Sequence, residues 1–260
     1  MTASIVETSR DGTLAIVTMN NPTRRNALSP DMRDQLITAF DEALAEKSVR
    51  AIVLCGKGGS FCAGGDISAM STESSLLEAR ARMGRYHTLL RMLTTGPKPV
   101  IAAVEGHAFG AGMSLVLACD HVVAASSAKF CTAFARVGLL PDVGMFWTLP
   151  QRVGMAKAKE LITLADELDG TQAGSLGIAN QVVDSGAALE VALQVACRYA
   201  KVAPVAFAFS KAAFADGSVD TLEGAIRAEM DNQPMMRQTG DHLNAVRAFM
   251  EKRPVVFWGE

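Results

Sequence analysis

Asp142 is the acidic residue of Val137-Gly-Leu-Leu-Pro-Asp-Val-Gly144, a stretch otherwise made of apolar and small residues. Charge is costly in such surroundings. The expectation is a carboxyl whose pKa rises toward that of a working proton shuttle. A turn-forming Asp after Pro is the simpler reading of the same residues. Two upstream turns shift the balance: Phe61-Cys-Ala-Gly-Gly-Asp-Ile67 and Gly106-His-Ala-Phe-Gly-Ala-Gly112. Each follows a strand pattern and opens a helix pattern. Backbone N–H groups at helix starts have no intrahelical acceptor. Two of them aimed at one point hold an oxyanion. The set suits proton transfer beside an oxygen that becomes negative.

Other chemistries lack their residues. Gly110-Ala-Gly112 has no third glycine at dinucleotide-binding spacing, and there is no P-loop. Ser114 lacks the flanking glycines of a nucleophile elbow. The five cysteines, Cys55, Cys62, Cys119, Cys131 and Cys197, fit no zinc spacing and read as small core residues in a reducing compartment. None of the four histidines pairs with an acid or Cys at ligand spacing, so no metal is expected.

The elements that must hold these turns follow from pattern. Ile5–Thr8 and Leu14–Met19 flank Asp11-Gly12 and read as a hairpin. Ser29-Pro30 starts a helix whose buried stripe is Leu36, Phe40 and Leu44. Ala51–Cys55 and Pro99–Val104 are continuous apolar runs, as in strands buried on both faces. Leu76–Leu93 reads as a helix, and Met113–Cys119 as a short one. His121–Ala124, Lys129–Cys131 and Gln181–Asp184 are short strands. Ala156–Ala165 and Thr171–Leu176 are helical, followed beyond Tyr199 by Pro204–Ala215, Val219–Met230 and Thr239–Lys252. Alternation of strand and helix predicts an α/β fold with a mostly parallel sheet.

The chain has 260 residues, 49% of them apolar, and a net charge of -2, which gives no footing for nucleic acid. No apolar run is long enough to span a bilayer. Met1-Thr-Ala-Ser-Ile5 is not a secretory signal, and Phe257-Trp-Gly-Glu260 is not a peroxisomal or retention address. The expected compartment is cytoplasmic.

Together the motifs resemble the crotonase (enoyl-CoA hydratase/isomerase) superfamily over nearly the whole chain. They are Asn26-Ala-Leu28, Phe61–Asp66, Pro97-Lys-Pro-Val-Ile-Ala-Ala-Val104, Gly106–Gly112 and the Asp142 turn. The resemblance implies a spiral of ββα units over residues 1–200 and a helical assembly region over 201–260, in a homotrimer or homohexamer. It implies an acyl-CoA substrate, with coenzyme A as part of that substrate and no separate cofactor. Ala63 and Ala111 are the implied oxyanion donors, with Gly64, Gly65, Asp66, Ile67, Ser114, Phe134 and Val137 around the substrate and Asp66 shaping the pocket mouth. Arg24, Arg25 and Ala27 occupy the loop that cradles the nucleotide in relatives. Phe249 and Lys252 match a C-terminal pair that in relatives reaches coenzyme A on a neighbouring subunit.

The departures define the expected reaction. Hydratases of this family use two glutamates, and this chain has Ser114 and Phe134 in their places. Asp142 falls where a branch of isomerases, including those of phenylacetate degradation, carries a single Asp. The expected activity is a shift of a β,γ double bond to α,β by Asp142, with Phe134 excluding water. The alternatives are an enoyl-CoA hydratase and a non-catalytic acyl-CoA binder.

Overall fold

The computed structural model describes residues 4–67 and 75–260. Two stacked runs of strands organise it. The larger sheet has six strands in the order β1-β2-β3-β4-β6-β9. Here β1 is Val6–Asp11, β2 Leu14–Met19, β3 Ala51–Gly56, β4 Val100–Val104, β6 His121–Ala125 and β9 Gln181–Val183. Only β1 and β2 are antiparallel, as the Asp11-Gly12 hairpin requires; the other four pairings are parallel.

The continuous apolar runs are buried on both faces. Ile52, Leu54, Val100, Ala102, Val122 and Ala124 point into the main core. Their neighbours Ala51, Val53, Ile101, Ala103 and Val123 pack under Ala188, Ala192, Val195 and Ala196. These alanines and Val195 line one face of a helix, Ala188–Tyr199. The sequence reading named no helix between Gln181–Asp184 and Tyr199 and did not foresee it. It also missed Met145–Val153, a helix with Pro150 inside it.

The second layer is a smaller sheet of β5 (His107–Phe109), β7 (Lys129–Cys131) and β8 (Leu168–Asp169). Isolated bridges extend it: Cys62 pairs with Ala108, and Gly65 pairs with Leu28. A main-sheet strand thus runs into a short extended stretch in the second layer and then turns toward a helix, which is the ββα spiral. Gly106–Gly112 is therefore not one turn, because Ala108 is a strand residue held between Phe130 and Cys62. The following helix α3 (Ala111–Leu117) begins two residues earlier than expected. It lies against the second layer because Gly112 has no Cβ; one would collide with the Cys62 carbonyl.

Helix α1 (Pro30–Ala45) begins as its sequence dictates, with Pro30 first and the Ser29 hydroxyl accepting the Met32 N–H at 3.2 Å. Helix α2 (Leu76–Thr95) has a capping box formed by Ser75 and Glu78. The C-terminal helices are Pro204–Ala215, Leu222–Met236 and Gly240–Met250. The first is tied to the core by Lys211, whose ammonium meets Asp120 at 2.6 Å.

Loop 20–28 is fastened to the segment that follows β3 by Asn26, which is fully buried with φ of 57°. Its Oδ1 accepts the Asn21 N–H at 2.8 Å, and its Nδ2 donates to the Lys57 and Ser60 carbonyls at 3.0 and 2.7 Å. Asn26→Ala would strand those three groups and put alanine in a left-handed conformation. The expected loss is about 2–4 kcal/mol of unfolding free energy by urea denaturation. A loss below about 1 kcal/mol would show that water replaces Asn26 freely.

Candidate active site

A cavity of about 620 Å³ opens between α2, the start of α3 and the loop before Asp142. Asp142, Ala111, Gly65 and Asp66 line it together. Its other walls are Leu28, Pro30, Arg82, Met83, Tyr86 and the run Gly138–Pro141. Most of that surface is apolar, so a carboxylate inside it loses hydration. Burial alone pushes Asp142 up from an ordinary value of 3.8 to about 6. Its Oδ1 is buried without a hydrogen-bond partner among the described residues. The carboxyl is poised near neutrality, as the apolar context predicts.

The turn that carries Asp142 is fixed from both sides. The Asp142 carbonyl accepts the Met145 N–H at 3.2 Å and the Ser114 hydroxyl at 2.9 Å. Val143 is buried at φ 48°, and Gly144 follows at φ 78°. A β-branched residue in the left-handed region costs roughly 1–3 kcal/mol, so the surrounding contacts must hold it there.

The oxyanion donors need one correction. The Ala63 N–H already donates to the Arg25 carbonyl at 3.0 Å, and Ala63 does not line the cavity. Gly65, two residues on, does line it, and its N–H has no partner among the described residues. Ala111 is the first residue of α3, so its N–H has no intrahelical acceptor. Gly64 makes the sharp step between these positions, at φ 102° with no room for a Cβ beside the Phe109 carbonyl.

The remaining expected residues divide. Asp66 lines the cavity, and its carboxylate meets Arg24 at 2.9 Å, which fits a role in shaping the mouth. Arg25 is exposed at φ 48° in the same loop, and Ala27 is half-buried, its N–H donating to the Arg24 carbonyl. Ser114 and Phe134 are buried and lie outside the cavity lining. Phe134 packs toward Gly110, so it stands behind the wall and not on it. Ile67 and Val137 are exposed and do not line the cavity. Phe249 is 82% exposed and Lys252 is also exposed, both outside this cavity.

Sequence reasoning missed the α2 wall. Met83 and Tyr86 stand three apart on that helix and face the cavity. The signal was the helical spacing of Met83, Tyr86 and Leu90. The Tyr86 hydroxyl donates to the Leu28 carbonyl at 3.2 Å, and the Arg33 guanidinium lies 5.0 Å from its ring centre. Burial, and to a lesser degree the charge on Asp142, raises the Tyr86 pKa.

With this geometry in place, comparison with known proteins decides the family. The enoyl-CoA hydratase/isomerase family model matches residues 9–260. The chain belongs to the enoyl-CoA hydratase/isomerase family. A probable enoyl-CoA hydratase of Rhodobacter capsulatus is 39% identical over 246 residues, covering 95% of each chain. The 1,2-epoxyphenylacetyl-CoA isomerase of Escherichia coli is 35% identical over 247 residues, covering 94% of each chain. A crystal structure of an enoyl-CoA hydratase from Polaromonas superposes with a TM-score of 0.91 at 35% identity, over 97% of this chain and 99% of that one. Hydratases and an isomerase stand at similar distance. The family thus establishes acyl-CoA hydratase/isomerase chemistry on a crotonase fold, and the choice between the two reactions falls to the site.

The elevated Asp142 pKa has a stability consequence. The folded-state value, about 6, lies above the ordinary value of 3.8. Between those values the folded chain holds more protons than the unfolded one, so stability falls as pH rises from about 4 to 6. Above that window the ionised carboxylate costs up to about 3 kcal/mol. Asp142→Asn should therefore melt higher than wild type at pH 8, with the difference gone by about pH 3.5. Thermal melts across this range check it; a pH-independent difference contradicts it.

Proposed function

We propose that this chain is an acyl-CoA isomerase that moves a β,γ double bond into α,β conjugation. The observation that carries the reading is one desolvated carboxylate, Asp142, with an unpartnered oxygen in a mostly apolar cavity. Asp142 takes a proton from the α-carbon of the bound thioester. The electron pair spreads into a dienolate whose oxygen is held by the Ala111 and Gly65 N–H groups, with Gly65 in place of Ala63. The protonated Asp142 then returns the proton at the γ-carbon. One carboxyl both accepts and donates, so the step balances without water.

Hydration makes a different demand. It needs one group to activate water and another to handle the α-proton. Ser114 and Phe134 offer no carboxylate, and Asp66 is engaged by Arg24. The hydratase alternative would require Asp66 to leave that pair.

Arg24, Arg25 and Ala27 form the loop proposed to receive the nucleotide of coenzyme A, where a guanidinium meets phosphate well. Phe249 and Lys252, remote from this chain's cavity, are proposed to reach the coenzyme A of a neighbouring copy in a trimer or hexamer. Exposed Leu222, Met230, Phe249 and Met250 supply apolar surface for such assembly. Light scattering at low micromolar concentration should report three or six chains; a stable, active monomer contradicts the assembly.

Two kinetic measurements test the reaction. Asp142→Asn should keep the fold and lower isomerase kcat by roughly a hundredfold to ten-thousandfold. In the wild type, kcat/KM should rise with pH through about 6 as Asp142 ionises. Purified wild type should turn over a β,γ-enoyl-CoA far faster than it hydrates crotonyl-CoA. The reverse order would mean that Asp142 activates water.

A further inference from the structure

Ser114 is fully buried and takes no part in the proton transfer described above. A serine inside a helix ordinarily donates to the carbonyl four residues back. For Ser114 that carbonyl belongs to Gly110, and it lies 3.4 Å from Oγ. The Asp142 carbonyl lies closer, at 2.9 Å, and comes from a different segment 28 residues away in sequence. A hydroxyl has one proton to donate, and the shorter contact takes it.

The position of this bond gives it weight. Ser114 sits one helical turn after Ala111, on the same short helix α3. The bond therefore joins the segment that presents one N–H to the cavity with the segment that presents the carboxylate. The joined segment also contains Val143, held at φ 48°. Without a tie, a strained β-branched residue favours release of the turn.

We propose that Ser114 is a positioning residue: its hydroxyl latches the Asp142 turn to the helix that begins at Ala111, fixing base and oxyanion donor relative to one another. The latch stands on geometry. Only its kinetic consequence rests on the isomerase reading.

Loss of the latch has a directional signature. A released turn lets water reach the carboxylate, and the loss of water is what raises its pKa. The charged or titratable groups around Asp142 are Tyr86 and Arg82 from α2 and Asp66 from the opposite turn. Ser114→Ala changes none of them.

The test titrates the Asp142 carboxyl by carbon-13 NMR in wild type and in Ser114→Ala, with the resonance assigned by its absence in Asp142→Asn. The expected result is a midpoint that moves from about 6 toward the ordinary carboxylate range in Ser114→Ala. Alongside it, kcat on a β,γ-enoyl-CoA should drop about tenfold, because a misplaced group loses near-attack geometry. KM should stay within about twofold, because no substrate contact is removed. If Ser114→Ala does not fold, Ser114→Cys, which keeps only a weak donor, is titrated in its place, with a smaller shift in the same direction expected. An unmoved midpoint overturns the latch, whatever melting temperature or kcat do. If wild type fails to isomerise any β,γ-enoyl-CoA, the functional reading falls, and the titration still decides the latch.

Discussion

Removal of water from one carboxylate is the constraint that organises this molecule's chemistry. An aspartate in water is too weak a base to share a proton with carbon at neutral pH. Burial in a cavity with mostly apolar walls brings Asp142 to about 6. Enclosure of that kind demands a wall that does not move, because any opening lets hydration return. The wall here is built partly from a loop, which is the less rigid choice. The loop is made firm by a hydroxyl from α3 and the Met145 N–H, which hold its turn with a buried Val143 kept in the left-handed region.

The proposed oxyanion side is organised differently, by register within the second layer. Gly65 and Ala111 come from successive turns of the spiral. They reach one cavity because Cys62 pairs with Ala108 and Gly65 pairs with Leu28. Gly112 then lets α3 rest directly on the Cys62 backbone. Donor placement thus derives from strand pairing, which is stiff, and needs no side chain. Two alanine- and glycine-rich turns were the visible trace of this requirement in the sequence, since bulk at either turn would push the layers apart.

The sequence carried the fold well where burial sets the pattern. Ala51–Cys55 and Pro99–Val104 announced strands covered on both faces, and Ser29-Pro30 announced a helix start. The Ala188–Tyr199 helix escaped because its buried stripe is mostly alanine, a weak periodic signal. Asp142 was legible only beside the two upstream glycine-rich stretches, because an Asp after Pro is by itself an ordinary turn residue. Ala63 was misassigned for a physical reason. Which N–H along Phe61–Asp66 stays free depends on loop 20–28, where the Arg25 carbonyl takes the Ala63 N–H. That pairing joins segments far apart in sequence, and local composition does not encode it. The Ser114 bond to Asp142 was hidden for the same reason.

The family's two reactions differ in how many proton-handling groups the cavity must keep free. A second free carboxylate near Asp142 would raise the pKa of one or both groups by like-charge repulsion. It would also draw water into a cavity whose dryness sets the base strength. Here the second acid on the lining, Asp66, faces Arg24 at 2.9 Å, so its charge is compensated locally. The hydroxyl of Ser114 is directed at a backbone carbonyl and not at the substrate space. Both arrangements leave a single base in a poorly hydrated space. A single base that must give back the proton it takes favours rearrangement within the bound substrate over addition from solvent. On the proposed isomerase reading, the dryness that permits the shift also withholds the water that hydration needs.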